Sequence, residues 1–191
     1  MKLVSWNVNG LAACKRKGFL KSIARLRADI VCCQEVRTNC PLNTPEYLAK
    51  KEPRSVQYGL GIDQLDCEGR LIALEYDSFC IVNVYVPNSQ SSDERLDYRI
   101  AWDQALLDFL DRLNKPAILC GDFNVARSYL DVYPENLRNE ENPPGFLSDE
   151  REGMERLLTR GYVDVFRALH PEKTGAYTWW SNRLNKRLEN R

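Results

Sequence analysis

Two apolar runs, RLIALEY (70–76) and FCIVNVYV (79–86), are separated by Asp77 and Ser78 alone. A two-residue polar break between strand-like runs predicts a hairpin, although the glycine favoured in such turns is absent. Downstream, residues 93–114 place Tyr98, Trp102, Ala105, Leu106, Phe109 and Leu113 on one helical stripe. The buried-looking run AILCG then reads as another strand. KLVSW (2–6) and DIVCCQE (29–35) are also strand-like, separated by a helix with Phe19, Leu20, Ile23 and Leu26 at helical spacing. A chain with both hairpins and helix crossovers is α/β, a mixed sheet or a pair of sheets covered by helices.

The rest of the chain is less regular. Arg127 to Leu147 is a polar stretch rich in Asn, Pro and Glu, longer than a connector needs. Ser148 is placed to cap a helix with Asp149 and Glu150 in its first turn and Gly161 at its end. GAYTWWS (175–181) reads as a last strand. The 191 residues suit one domain. The 27 basic and 27 acidic side chains cancel, so no net field draws the molecule to nucleic acid or anionic lipid. Any such attraction must be local, at Lys15, Arg16, Lys17 and Lys21, at Lys50, Lys51 and Arg54, or at Arg183, Lys186, Arg187 and Arg191; each reads first as a solvated face or tail. Seven cysteines without a C-x-x-C pair suit a reducing compartment. The opening MKLVSWNVNG is too short in apolar residues for a signal peptide, and no run is long enough to span a membrane, so the expectation is a soluble intracellular protein.

The polar residues at the strand exits carry the chemistry. The first strand ends in Asn7 and Asn9, the second in Gln34 and Glu35, the hairpin in Tyr85 and Asn88, and AILCG in Asp122 and Asn124. One such residue is ordinary turn chemistry. Four exits bearing acids, amides and a phenol point to one convergent site, because sites in α/β folds gather at strand ends. Two carboxylates with neutral amides suit a hard cation such as Mg²⁺, and amides and phenols bind phosphate oxygens without adding charge. The chemistry expected is metal-dependent phosphoester hydrolysis.

The blocks SWNVNGLAA, DIVCCQE, DCEGRLIALEYDSFCIVNVYVPNS, LDYRIAWDQALLDFL, PAILCGDFNVA, GFLSDEREGMERLL, DVFRALHP and YTWWSNR follow in order along nearly the whole chain. Together they resemble the exonuclease III family of abasic-site endonucleases, within the wider endonuclease/exonuclease/phosphatase fold. The resemblance implies a four-layer α/β sandwich of two mixed β-sheets flanked by helices, as a single domain over 1–191. It implies Mg²⁺ or Mn²⁺, with Glu35 binding the metal and Asn7 organising metal and phosphate. Asp122 would orient or deprotonate the attacking water, Asn124 would position that water or the phosphate, and both would border the metal. Tyr85 and Asn88 would hold the scissile phosphate, Asn139 and Asn142 would contact DNA, and Trp179 would wall the flipped-out abasic sugar. The implied substrate is double-stranded DNA with abasic sites or 3′-blocked ends, cut 5′ to the abasic site by a monomer with no membrane partner, with 3′-to-5′ exonuclease and 3′-phosphatase activity besides. Such an enzyme would be cytoplasmic in a bacterium and nuclear in a eukaryote.

Other conspicuous residues read as structure. Trp6, Trp102, Phe109 and Trp180 have the spacing of core aromatics, and His170, the only histidine, ends a helical stretch in ALHP. The sequence also departs from the family pattern. A Gly-Tyr-Ser-Gly-Val segment expected near Pro53 and Arg54 is missing, which could leave an unpaired sheet edge. The family's Gly-Trp-Arg-x-Asp-Tyr stretch and closing Ser-Asp-His, which carries its catalytic histidine, do not occur. The alternative expectation is therefore a catalytically weak or inactive relative, incomplete with respect to the family fold, that binds DNA or a protein partner.

Overall fold

In the computed structural model, which describes residues 1–37, 45–90, 92–137, 142–180, 187, 188 and 190, the chain opens with strand β1 (Leu3–Asn7). Two short helices, α1 (Leu11–Arg16) and α2 (Phe19–Leu26), carry it across to β2 (Ile30–Gln34). The crossover makes β1 and β2 parallel, with Leu3 opposite Ile30 and Asn7 opposite Gln34. The sequence predicts one helix here; Gly18, left-handed at φ 95°, makes it two. The break buries Phe19 but leaves Leu20 and Leu26 exposed, so only part of the predicted stripe faces the core. Strand β3 (Glu46–Ala49) pairs antiparallel with the other edge of β2, giving a mixed sheet in the order β1-β2-β3.

The second sheet has the order β4-β5-β6-β7, from β4 (Ser55–Tyr58), β5 (Leu71–Glu75), β6 (Cys80–Tyr85) and β7 (Ala117–Asp122). A short helix, α3 (Asp63–Asp66), lies between β4 and β5. The Asp77-Ser78 hairpin forms as expected, the Tyr76 N–H donating to the Phe79 carbonyl at 2.9 Å. A long helix, α4 (Asp93–Asp111), is the crossover that sets β7 parallel to β6. Near Pro53 the chain passes from one sheet to the other, and β3 and β4, each paired on one side, lie at the sheet edges there. Among the described strands β7 likewise lies at an edge, and it is less buried than it looks in sequence: Leu119 and Cys120 are half-buried and Ile118 is 38% exposed.

The sheets pack through Ile30 and Cys32 of β2 against Ile72, Leu74 and Ile81 of the hairpin. The outer face of the first sheet is closed by Leu11 and Phe19 of α1 and α2 against Val31, Cys33 and Val36. Burying each such Leu, Ile or Phe side chain stabilises the fold by about 1.5–3 kcal/mol. α4 buries Trp102, Ala105, Leu106 and Phe109, as its stripe predicts, and Leu110 besides, while Tyr98 and Leu113 are half-buried. The result is an α/β fold of two mixed sheets flanked by helices. Among the described residues, no helix is long and apolar enough to cross a membrane.

Residues divide into two compact units, Met1–Pro87 with Ala101–Asn124, and Asn88–Ile100 with Val125–Arg191. Both sheets lie in the first. In the second, the polar stretch contains two 3₁₀ turns, Tyr129–Asp131 and Pro134–Leu137. The Asp131 carboxylate closes a capping box with Ser128 and accepts from the buried guanidinium of Arg167. Helices α5 (Ser148–Thr159) and α6 (Val165–Leu169) follow. Ser148 is the first residue of α5 and not its cap; the buried Glu150 carboxylate accepts from the Leu147 and Gly145 N–H groups instead, at 3.0 and 2.7 Å. The strand expected at 175–181 is absent among its described residues, 175–180, because no other described strand pairs with them. Trp180 is half-exposed with its indole N–H on Asn190 at 3.2 Å, so it is not a core residue. His170 is exposed at the C-terminal cap of α6, its ring against Phe166.

Candidate active site

Five of the predicted residues meet within the first unit. The Asn7 amide nitrogen donates to Glu35 Oε1 and to Asp122 Oδ2, each at 2.8 Å. One amide thus joins two carboxylates that are 87 residues apart in sequence, one from each sheet. The Asn7 side-chain oxygen accepts from the Asn9 N–H at 3.1 Å, which fixes the amide so that its donors face the acids. The Tyr85 phenol also hydrogen-bonds to Glu35. Arg37, 58% exposed, donates to the other Glu35 oxygen at 2.5 Å.

Local backbone geometry explains why the side chains arrive together. Beyond the strand ends, Val8, Gly10 and Leu11 donate backbone N–H groups to the carbonyls of Gln34, Glu35 and Val36, so the two exits stay zipped side by side. Glu35 is left-handed at φ 50°, as are Asn9 at 45° and Asn124 at 46°. For a glutamate this conformation costs on the order of 1–2 kcal/mol, which the bonds to its carboxylate offset. On the second sheet, Tyr85 pairs with Asp122 across β6 and β7. Gly121 permits that approach: a Cβ there would lie 2.0 Å from the Val84 carbonyl oxygen. Gly is therefore the residue that AILC carries before its acid.

Asn124 differs from expectation. Period-two alternation would set its side chain beside that of Asp122, but the strand ends at Asp122 and the chain turns. Its backbone N–H donates to Asp122 Oδ1 at 3.0 Å while its side-chain amide donates to the Val86 carbonyl at 2.8 Å. It therefore orients the acid through the main chain.

Burial alone would raise the Glu35 pKa, but hydrogen bonds from Asn7, Arg37 and Tyr85 outweigh it and hold the carboxylate below its ordinary value. The Tyr85 phenol is pushed up to about 12, by burial first and then by the charge and hydrogen bond of Glu35. At neutral pH the site therefore presents an ionised Glu35 and a neutral phenol.

Sequence reasoning missed the residues that hold these groups. Arg70 is 8% exposed; its guanidinium lies 4.6 Å over the Tyr85 ring and donates to the Tyr85 carbonyl at 2.9 Å. Glu68 anchors it at 2.7 Å. The motif EGR contains both, but its role depends on strand register, which no local pattern displays. Of the remaining candidates, Asn88, Asn142 and Trp179 belong to the second unit, and Asn139 lies outside the described residues. Asn88 Oδ1 accepts from the Gln90 N–H at 2.8 Å, Asn142 is exposed and Trp179 is 74% exposed.

The donor set fits a hard divalent cation. Glu35 and Asp122 present oxygen to one point, where the Asn7 amide now supplies the positive end of a dipole. Among the described residues no group of three or more His, Cys, Asp or Glu gathers, so a soft-metal cage is not formed there. Two carboxylates with room for water are what Mg²⁺ commonly takes.

Comparison with known proteins identifies the family. Residues 4–188 match the Endonuclease/Exonuclease/phosphatase family. The chain is 41% identical to an exodeoxyribonuclease of Bacillus subtilis over 213 residues, covering all of this chain and 84% of the relative. It is 39% identical over 208 residues to a DNA-(apurinic or apyrimidinic site) endonuclease of Dictyostelium discoideum, covering 95% of this chain and 57% of that protein. A Neisseria 3′ phosphatase, solved bound to a product DNA hairpin, superimposes with a TM-score of 0.85 at 25% identity, over 99% of this chain and 82% of that one.

Proposed function

From the premise that the chain belongs to the endonuclease/exonuclease/phosphatase family, among the exodeoxyribonucleases and abasic-site endonucleases, we propose that it is a DNA repair nuclease that hydrolyses the phosphodiester 5′ to abasic sites. The observation that carries the proposal is the Asn7 amide joining Glu35 and Asp122 beside the Tyr85 phenol. 3′-to-5′ exonuclease and 3′-phosphatase action follow from the same site, since each breaks a phosphoester at a 3′ end.

Nucleases of this family use a divalent metal, and in this chain Glu35 and Asp122, with Asn7 beside them, would hold Mg²⁺. When bound, the cation supplies positive charge against the phosphoryl oxygens. Asp122 accepts a proton from the attacking water, its other oxygen held by the Asn124 N–H. Tyr85, neutral through the physiological range, turns its one phenol hydrogen from Glu35 to a non-bridging phosphate oxygen when substrate binds. Arg70 keeps that ring in place. On the same reading Asn88, Asn139, Asn142 and Trp179 contact DNA, which single alanine variants in a DNA-binding assay test one at a time.

The decisive experiment is incision of a duplex with one abasic site, with Mg²⁺, with Mn²⁺ and with chelator, beside a Glu35→Gln, Asp122→Asn double variant. Metal-dependent incision above that control is the expected result. Equal background in both, with DNA binding retained, would instead identify a relative that binds without cutting.

A further inference from the structure

The catalytic groups come from two different sheets, so their spacing is only as fixed as the sheets are relative to each other. Apolar packing between Ile30, Cys32, Ile72, Leu74 and Ile81 holds them together but is not directional. Apart from the site's own bonds and a Cys32–Cys120 thiol contact, directional polar contacts between the sheets are also made by two buried amides. Gln34, 1% exposed at the end of β2, donates from Nε2 to Asn83 Oδ1 at 2.6 Å, and Asn83 is wholly buried in β6. Asn83 Nδ2 returns a bond to the Cys33 carbonyl at 3.2 Å, and Gln34 Nε2 also reaches Ser5 Oγ of β1 at 3.1 Å. The amides thus satisfy one another and link β1, β2 and β6.

Their place in the chain ties them to the site. Gln34 immediately precedes Glu35, and Asn83 precedes Tyr85 by two residues, on the same face of β6. We propose that Gln34 and Asn83 are positioning residues, a buried amide clasp that registers the first sheet on the second so that Asn7 and Glu35 meet Tyr85 and Asp122. A pair of apolar side chains would fill the same volume with less desolvation, so the amides' use lies in direction rather than in stability.

The inference rests on the nuclease reading for its kinetic consequence, but its structural consequence is measurable without activity. The variant is Gln34→Met with Asn83→Leu, which keeps the volume apolar and filled. The structural readout is the Asn7 side-chain amide in ¹⁵N NMR, whose two carboxylate bonds depend on sheet register. A changed Asn7 resonance with faster amide exchange, and a melting temperature near that of the parent protein, is expected. On abasic DNA the same variant should lose kcat on the order of a hundredfold with KM little changed, as misplacement near 1 Å does elsewhere. An unmoved Asn7 amide with unchanged exchange would overturn the proposal, whether or not the parent protein cuts DNA. A parent protein that does not cut would sink the nuclease reading alone. Should the double variant fail to fold, Gln34→Ala, which removes one partner and admits water beside Asn83, takes the same NMR measurement with the same two outcomes. The exchanged pair, Gln34→Asn with Asn83→Gln, should restore the Asn7 amide signal toward the parent's, which a volume effect would not do.

Discussion

β2 and β7 each deliver one of the two carboxylates, from opposite surroundings. β2 is the central strand of its sheet, buried along its whole length and paired on both sides, so Glu35 leaves a rigid platform. β7 lies at an edge, half-exposed, and is placed by its pairing with β6 alone among the described strands. An acid on an edge strand is only as well placed as that one pairing. The close approach at Gly121, the Asn124 N–H beyond it and the Asn7 amide from the other sheet reinforce that placement.

The contrast breaks most visibly at Gly121. Gly121→Ala must separate β7 from β6, because the new methyl meets backbone and not a movable side chain. A stability loss of about 3 kcal/mol by urea denaturation, together with loss of incision, is expected. Asp122→Asn keeps the shape and removes the proposed base; turnover on abasic DNA should fall roughly 10²- to 10⁴-fold with the fold retained. Retained turnover would remove Asp122 from the mechanism.

The titration of the platform sharpens the comparison from the other side. The folded pKa of Glu35 is lowered, so its contribution to stability is complete above the ordinary carboxylate value and is lost as pH falls through the lowered one. Melting curves of the parent and Glu35→Gln should therefore converge in acid. Tyr85 has the opposite sign. Its neutral form is favoured in the fold, so that contribution is present below pH 10.0 and is lost as pH rises toward about 12. Tyr85→Phe should abolish that alkaline phase. The smallest effect belongs to the exposed edge: Ile118→Thr, on a residue 38% exposed, should change stability by no more than about 0.5 kcal/mol. Val31→Thr at the centre of β2, 2% exposed, should cost several times as much.

These differences mark what the sequence could disclose. Strands with apolar periods, such as β5 and β6, and the α4 stripe through Trp102 and Phe109 were legible because burial imposes a period on local sequence. EYLA and SVQY, which became β3 and β4, were not, since short edge strands carry mixed residues and no period. GAYTWWS has the period but no paired neighbour among the described strands, and a strand exists only in a ladder. At the site, Asn7, Glu35, Tyr85 and Asp122 could be read because each ends a strand. Arg70, Gln34 and Asn83 could not be assigned their work in the same way. What they touch is set by cross-strand register and sheet packing, which are relations between distant segments.

The left-handed backbone at Glu35 has a consequence for anyone altering this protein. Glycine or asparagine there would relax a conformation that glutamate adopts at a cost of about 1–2 kcal/mol, but either would leave the donors of Asn7, Tyr85 and Arg37 without the carboxylate whose bonds offset it. A sort on heat resistance alone therefore weighs backbone relief against lost bonds, and only selection on turnover itself reads what the carboxylate does for chemistry.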